Sequence, residues 1–159
     1  MTTTSSVPSQ RSLHLLDLEN LVGDPCAAAP LVHETLTRYF RVARWREGDH
    51  VIVASNPDLM RHVVFAPPVP WNAHATRGRD AADVMLLSHA PPELVVRRYA
   101  RLVIGSGDGI FATRANATRA LGVDVLVVAR AGSCSSRLRK FQHVLLFAPE
   151  PDPPLVLAA

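Results

Sequence analysis

Several things are scarce in this chain of 159 residues, and each scarcity excludes a class of protein. There are two cysteines, Cys26 and Cys134, far apart and in no zinc-type spacing, so neither a disulfide framework nor a thiolate metal centre is expected. No apolar run approaches the roughly 18 residues that cross a bilayer. The opening stretch from Met1 to Gln10 has neither a basic start nor an apolar segment, so no secretory leader is expected, and the expected location is the cytoplasm. The histidines form no metal-ligand spacing, and no Ser-His-Asp or Cys-His arrangement stands out. Charge of one sign is also lacking: the formal net charge is only +3. Lysine is nearly missing, since sixteen of the seventeen basic residues are arginine and Lys140 is the exception. Guanidinium groups bind phosphate bidentately and stack on bases, which suits a nucleic-acid partner. A GC-rich coding sequence produces the same bias, so arginine usage supports that partner without carrying it.

What is present is the pattern of a single globular domain. Hydrophobic residues make up 48% and charged residues 19% of the chain, enough apolar material to bury a proper core. Residues 1–11 read as an arm, residues 12–148 as the domain and residues 149–159 as a Pro-rich tail. Within the domain, short apolar runs alternate with stretches of helical spacing. Strands are expected over 12–17, 50–54, 101–105, 123–129 and 144–147. Helices are expected over 30–42, 59–65, 79 to about 89, 92–98, 111–121 and 135–141. Pro67 to Pro70 can be neither interior helix nor central strand and reads as an extended connector ending at Trp71. Residues 72–77, with His74, read as a loop that could face a substrate. Strands separated by helices imply βαβ units, so the expected fold is α/β: a three-layer α/β/α sandwich with a mainly parallel central sheet.

The polar stops of the apolar runs point to chemistry. Leu15-Leu16 stops at Asp17-Leu18-Glu19-Asn20, Val51 to Ala54 stops at Ser55-Asn56, and Leu102 to Ile104 stops at Gly105-Ser106-Gly107-Asp108-Gly109. If the strands are parallel, all three stops share the sheet edge at which open α/β sheets bind ligands. Asp17 and Asp108 close apolar strands, where a carboxylate is costly unless it is solvated, paired or metal-bound. Asp83, near the start of a helix at the same edge, is a third candidate ligand. Two or three carboxylates suffice for Mg²⁺ or Mn²⁺, which prefer oxygen donors and retain waters. Structural alternatives stand beside this reading. Asp17 could mark a strand-to-helix turn, and Asp80 and Asp83 fit an N-cap and a first-turn acid opposing the helix dipole. Whether Glu19 faces the site depends on the turn after Asp17, and Asp124 belongs to the opposite edge. The glycine loop is not a dinucleotide fingerprint, because Ile110 stands where G-x-G-x-x-G requires its last glycine. Arg130, Ser133 and Arg137 lie around a strand end and a Ser-rich turn that make either a phosphate seat or a capped surface helix. Arg77 is a further candidate phosphate contact, and Asn56 a supporting residue at its stop.

Three segments resemble the NYN domain family, a branch of the PIN-like metal-dependent ribonucleases. Leu15-Leu16-Asp17-Leu18-Glu19-Asn20-Leu21 is similar to the family's opening strand, and Gly78-Arg79-Asp80-Ala81-Ala82-Asp83-Val84-Met85-Leu86 to its central helix. Val103 to Phe111 resembles its Ser-Gly-Asp strand end, and Arg119 to Val128 its following helix-Gly-strand unit. The resemblance spans residues 12–148 and implies a PIN-like fold. It implies Asp17, Asp83 and Asp108 as catalytic metal ligands, with Asn20, Ser106 and Asp80 supporting them. It further implies Mg²⁺ or Mn²⁺ as cofactor, single-stranded RNA as partner and phosphodiester hydrolysis as reaction; a homodimer is left open. Two positions depart from the pattern: many members carry acids where this chain has His89 and Ile110. The departures define the alternative, an inactive RNA-binding or regulatory module of the same fold. A module directed at a protein target is a third possibility.

Overall fold

A computed structural model describes residues 10–63, 66 and 71–149. In chain order the elements are β1 (Ser12–Asp17), α1 (Leu18–Val22), α2 (Ala29–Val42), β2 (His50–Ser55), α3 (Pro57–Val63), β3 (Trp71–Ala75), α4 (Ala81–Ser88), α5 (Pro92–Arg98), β4 (Arg101–Gly105), a 3₁₀ turn (Gly109–Phe111), α6 (Ala112–Ala120), β5 (Asp124–Arg130) and β6 (Gln142–Leu146). The strands form one sheet in the order β3-β2-β1-β4-β5-β6, and every neighbouring pair is parallel. This is the doubly wound order, in which the order of successive strands reverses between β1 and β4.

Side-chain alternation along the strands divides the core into two layers. Leu13 and Leu15 of β1, Leu102 and Ile104 of β4 and Val125 and Val127 of β5 pack with Leu86, Val95, Phe111 and Ala115 from α4, α5, the 3₁₀ turn and α6. Leu16, Val51, Val53, Val103 and Val128 pack on the other face with Leu18, Leu21, Leu36, Tyr39 and Leu59 from α1, α2 and α3. A sheet covered on both faces needs strands that are apolar throughout, which explains the unbroken runs of β1 and β4. Each fully buried Leu, Ile or Val contributes about 1.5–3 kcal/mol by leaving water. The three-layer α/β/α sandwich expected from the alternation is therefore the fold, and its sheet is wholly parallel.

Helix α2 repeats apolar burial at Val32, Leu36 and Tyr39, and Pro30 sits in its first turn where a missing N–H costs nothing. It ends in a Schellman-type turn: Trp45 N–H donates to Phe40 C=O at 3.1 Å, and Arg44 takes the left-handed position at φ 53°.

Two expectations are corrected. Residues 72–75 belong not to a loop but to the edge strand β3, registered residue for residue on β2 from Val51↔Trp71 to Ser55↔Ala75. Residues 135–141 are not a helix. They form successive turns in which the Ser135 carbonyl accepts from both Leu138 N (3.0 Å) and Arg139 N (3.1 Å), and the Ser135 hydroxyl accepts from Arg137 N (3.2 Å). A serine side chain that bonds its own backbone competes with helix propagation. Leu138 and Phe141 pin these turns to the α4–α6 layer, so they take the place of a crossover helix between β5 and β6. The connector expected over Pro67 to Pro70, residues 64 and 65, the first nine residues and the tail from residue 150 lie outside the described residues.

Candidate functional site

The reversal between β1 and β4 leaves a crevice at the carboxyl ends of the strands, and the chain's acids converge on it. Asp17 ends β1 and is only 7% exposed, which a strand buried on both faces imposes on its last residue. Its carboxylate is held from two sides: Oδ1 accepts from Asn20 N–H at 3.3 Å, and Oδ2 accepts from the Ser106 hydroxyl at 3.0 Å. The turn reading and the site reading of Asp17 therefore coexist, since one carboxylate caps α1 and faces the crevice. The Ser106 oxygen in turn accepts from Asp108 N–H at 3.1 Å, and Asn20 Oδ1 accepts from Gly107 N–H at 2.8 Å. These bonds stitch the end of β1 to the loop after β4. A Cβ on Gly107 would run into the Ser133 carbonyl, so only glycine lets the 131–137 segment press against this loop, where Ser135 N–H also donates to Gly107 C=O at 2.8 Å.

Asp83 enters from the first turn of α4, is 6% exposed and lies close enough to Asp17 for that charge to act on it. Burial, followed by the charges of Asp17, Asp108 and Asp80, pushes the Asp83 carboxyl up to about 7. Burial likewise pushes Asp17 up to about 6, against the opposing hydrogen bonds from Asn20 and Ser106 and with further upward push from Glu19 and Asp108. Neighbouring buried carboxyls that both resist ionisation titrate as a coupled pair. Such a pair is short of positive charge.

Asp108 is brought to the same edge, and its charge acts on both partners, but its own Oδ1 accepts from Ile110 N–H at 2.9 Å and caps the 3₁₀ turn. Among the described residues, no three His, Cys, Asp or Glu side chains are gathered into a metal-ligand set. The donor set is thus a carboxylate pair with a third acid beside it, all oxygen.

A cleft of about 620 Å³ opens over the pair. Asp17 and Asp83 form its acidic wall, Arg77 and Arg79 its basic rim, and Glu19 and Asn56 the side nearest α3. Asn56 does three things there: its Oδ1 caps α3 by accepting from Leu59 N–H at 2.9 Å, while its Nδ2 donates to Glu19 Oε2 at 3.2 Å and to Pro25 C=O at 3.1 Å. The turn left undecided by the sequence thus puts Glu19 in the cleft. Asp80 lines the cleft too, but not as the expected N-cap. It adopts the left-handed conformation (φ 57°) and its side chain makes no capping bond; its carboxylate lies instead 4.0 Å from Arg79 Nε at the cleft rim. Asp and Asn tolerate that backbone region better than other non-glycine residues.

The remaining candidates divide. Arg77 is in the cleft. Arg137 and Ser133 lie on the far side of the Asp108 loop: Arg137 donates to Thr113 Oγ1 at 3.4 Å, and the Ser133 hydroxyl donates to Arg130 C=O at 2.9 Å. Arg130 packs over Gly23 at the end of α1. With no helix at 135–141, the dipole expected to favour an anion there is missing. His74 turns toward α4, its ring 4.9 Å from that of His89, and does not line the cleft. Sequence reading missed Thr76, Arg79 and Asp58 as cleft residues; the charge density of Arg77-Gly78-Arg79-Asp80 ahead of α4 was the available signal for two of these neighbourhoods. Compared with protein-family models, curated proteins and solved structures, this chain has no match.

Proposed function

We propose that this protein is a Mg²⁺- or Mn²⁺-dependent ribonuclease of the NYN, PIN-like type that hydrolyses phosphodiester bonds of single-stranded RNA in the 620 Å³ cleft. The observation that carries the reading is the buried Asp17–Asp83 pair at the strand reversal, which lines one cleft with Arg77 and Arg79. An all-oxygen donor set suits a hard cation that keeps several waters, and two carboxylates are enough for it. Asp17 and Asp83 would hold the ion, with Asp108 next in reach; when bound, it would offset their charge and acidify a coordinated water. The chain's own residues supply the rest. Ser106 and the Asn20 amide hold the Asp17 carboxylate in one orientation. Arg77 and Arg79 face the phosphates of an entering strand. Glu19, fixed by Asn56 on the cleft wall, is placed to accept a proton from an attacking water.

A specific observation favours a second reading, an RNA-binding module without turnover. Asp108 spends one carboxylate oxygen on the Ile110 amide, and the positions that would add acids are Ile110 and His89. The deciding experiment is cleavage of a labelled single-stranded RNA pool with Mn²⁺, with EDTA, and with Asp83→Asn and Asp108→Asn. The ribonuclease reading expects Mn²⁺-dependent cleavage that EDTA abolishes and that Asp83→Asn reduces about 100-fold or more, in the range seen when an electrostatic element of a site is removed. A folded protein that retards RNA but never cleaves it establishes the second reading. No retardation at low salt removes RNA from the account altogether.

A further inference from the structure

At the opposite, amino-terminal edge of the sheet lies a second pocket, of about 540 Å³, that the acid cleft does not explain. Its walls carry three guanidinium groups, Arg44, Arg46 and Arg101, against one carboxylate, Asp124. Arg101 and Asp124 are register partners at the starts of β4 and β5, yet no ion pair joins them among the described residues. Arg46 uses one donor, from Nη2 to Gln10 C=O at 2.7 Å, and Arg101 uses two, to the Ser12 hydroxyl and to Ala43 C=O. A guanidinium has five N–H donors, so most of this capacity is unspent.

The Trp45 side chain lines the same pocket. A further observation points to a ligand. Arg44 occupies the left-handed position that ends α2, where glycine is the residue the backbone favours. A chain that places arginine there accepts conformational strain, and among the described residues Arg44 makes no ion pair or side-chain hydrogen bond in return.

We infer that this pocket is an anion site for a phosphate group, held by Arg44, Arg46 and Arg101. Phosphate offers the several acceptor oxygens that a cluster of guanidinium groups requires. The pocket volume suits a ligand of nucleotide size. The phosphate could be carried by a free nucleotide or by an RNA strand; both present the same group to the same donors.

The test reads Trp45 fluorescence in a Trp71→Phe protein, where it is the sole tryptophan, with EDTA present so that the acid cleft holds no cation. Inorganic phosphate, a ribonucleoside 5′-monophosphate and a short single-stranded oligoribonucleotide are titrated at constant ionic strength set by chloride. A saturable change is expected. It should weaken tenfold or more in Arg44→Gly, which relieves the backbone and so leaves the melting temperature equal or higher, and it should strengthen in Asp124→Asn. Saturation by phosphate or the monophosphate identifies a free-nucleotide site, and saturation by the oligonucleotide alone identifies a strand phosphate. No saturable response to any probe overturns the inference, as does a response that Arg44→Gly and Asp124→Asn leave unchanged.

Discussion

Single residues in this protein hold the two halves of the candidate site together. Ser106 is fully buried and bonds both Asp17 and the Asp108 amide, so removing its hydroxyl leaves a carboxylate oxygen and an amide to find other partners. Ser106→Ala is expected to cost about 1–3 kcal/mol, the range for orphaning a buried polar group, measured as a shift in urea midpoint. Gly107→Ala should destabilise as well, because its Cβ meets the backbone carbonyl of Ser133, which cannot swing aside as a side chain would. Overpacking of this kind costs about 1–3 kcal/mol, and a thermal melt would read it. An unchanged melt would mean that the 131–137 segment yields freely. Much at this scale was legible in the sequence. An acid that ends an apolar run must be compensated, and this alone marked Asp17 and Asp108. Asp83 was harder, because a first-turn acid has a sufficient local explanation. What could not be read was the fate of individual oxygens: that Asp108 would cap its own turn, or that Asp80 would leave the cap unmade in a left-handed conformation.

Elements carry the next level of argument, and β1 is the instructive one. Its polar residues sit at both ends, Asp17 at the crevice and His14 near the other edge. His14 Nδ1 is 3.0 Å from the Tyr39 hydroxyl and Nε2 is 3.3 Å from Asp49 Oδ2, all three side chains being buried. Asp49 also accepts from Ser12 N–H at 2.7 Å and Arg46 N–H at 2.9 Å. Although burial alone would push Asp49 up, these bonds, led by that to His14, bring its carboxyl down to about 2; burial holds the His14 imidazole below its ordinary range. Both shifts have the same sign of linkage. In the unfolded chain each group binds its proton at a higher pH than in the folded one, so stability falls as the medium is acidified: first below about pH 6.5 through His14, then from pH 4 downward toward 2 through Asp49. Asp17 and Asp83 act oppositely. Their folded forms keep protons up to about pH 6 and 7, so between pH 4 and 7 they lower stability as the pH rises. In EDTA, Asp83→Asn should therefore be more stable than the parent at pH 8, with the gap closing toward pH 4; denaturant melts at the two pH values decide it. The element pattern itself was largely readable, since unbroken apolar strands and spaced helices have distinct periods. It failed at residues 72–75, where an edge strand exposes one face and lacks the apolar run, and at 135–141, where serine side chains divert the backbone.

For the whole molecule, the strand order explains why the acids meet. Strand order reverses between β1 and β4, and β3, parallel to β1, delivers the start of α4 to the same edge. No local pattern contains that information; it emerges once six parallel strands are ordered. The same topology separates the acid cleft from the arginine pocket, because strand ends of one direction gather at one edge and strand starts at the other. A charge-deficient pair kept in the core is a cost to the empty fold that a bound cation removes. Mn²⁺ is therefore expected to raise the melting temperature at pH 8 in the parent, with a much smaller rise in Asp83→Asn. Binding at 100 times its dissociation constant corresponds to about 2.7 kcal/mol of added stability. Equal shifts in both proteins would remove Asp83 from the cation site.

The hydrogen bond from Ser106 to Asp17 also has a meaning in time. Its partners are 89 positions apart, and between them lie β2, β3, β4 and five helices that must leave the ribosome first. At synthesis rates of about 5–20 residues per second, β1 waits several seconds beside β2 with its other edge unpaired. Parallel pairing over such a span is slow to nucleate, since the loop must close before any contact rewards it. The central strand of the finished sheet is thus the exposed edge of the nascent one, and the crevice comes into being only when β4 covers it.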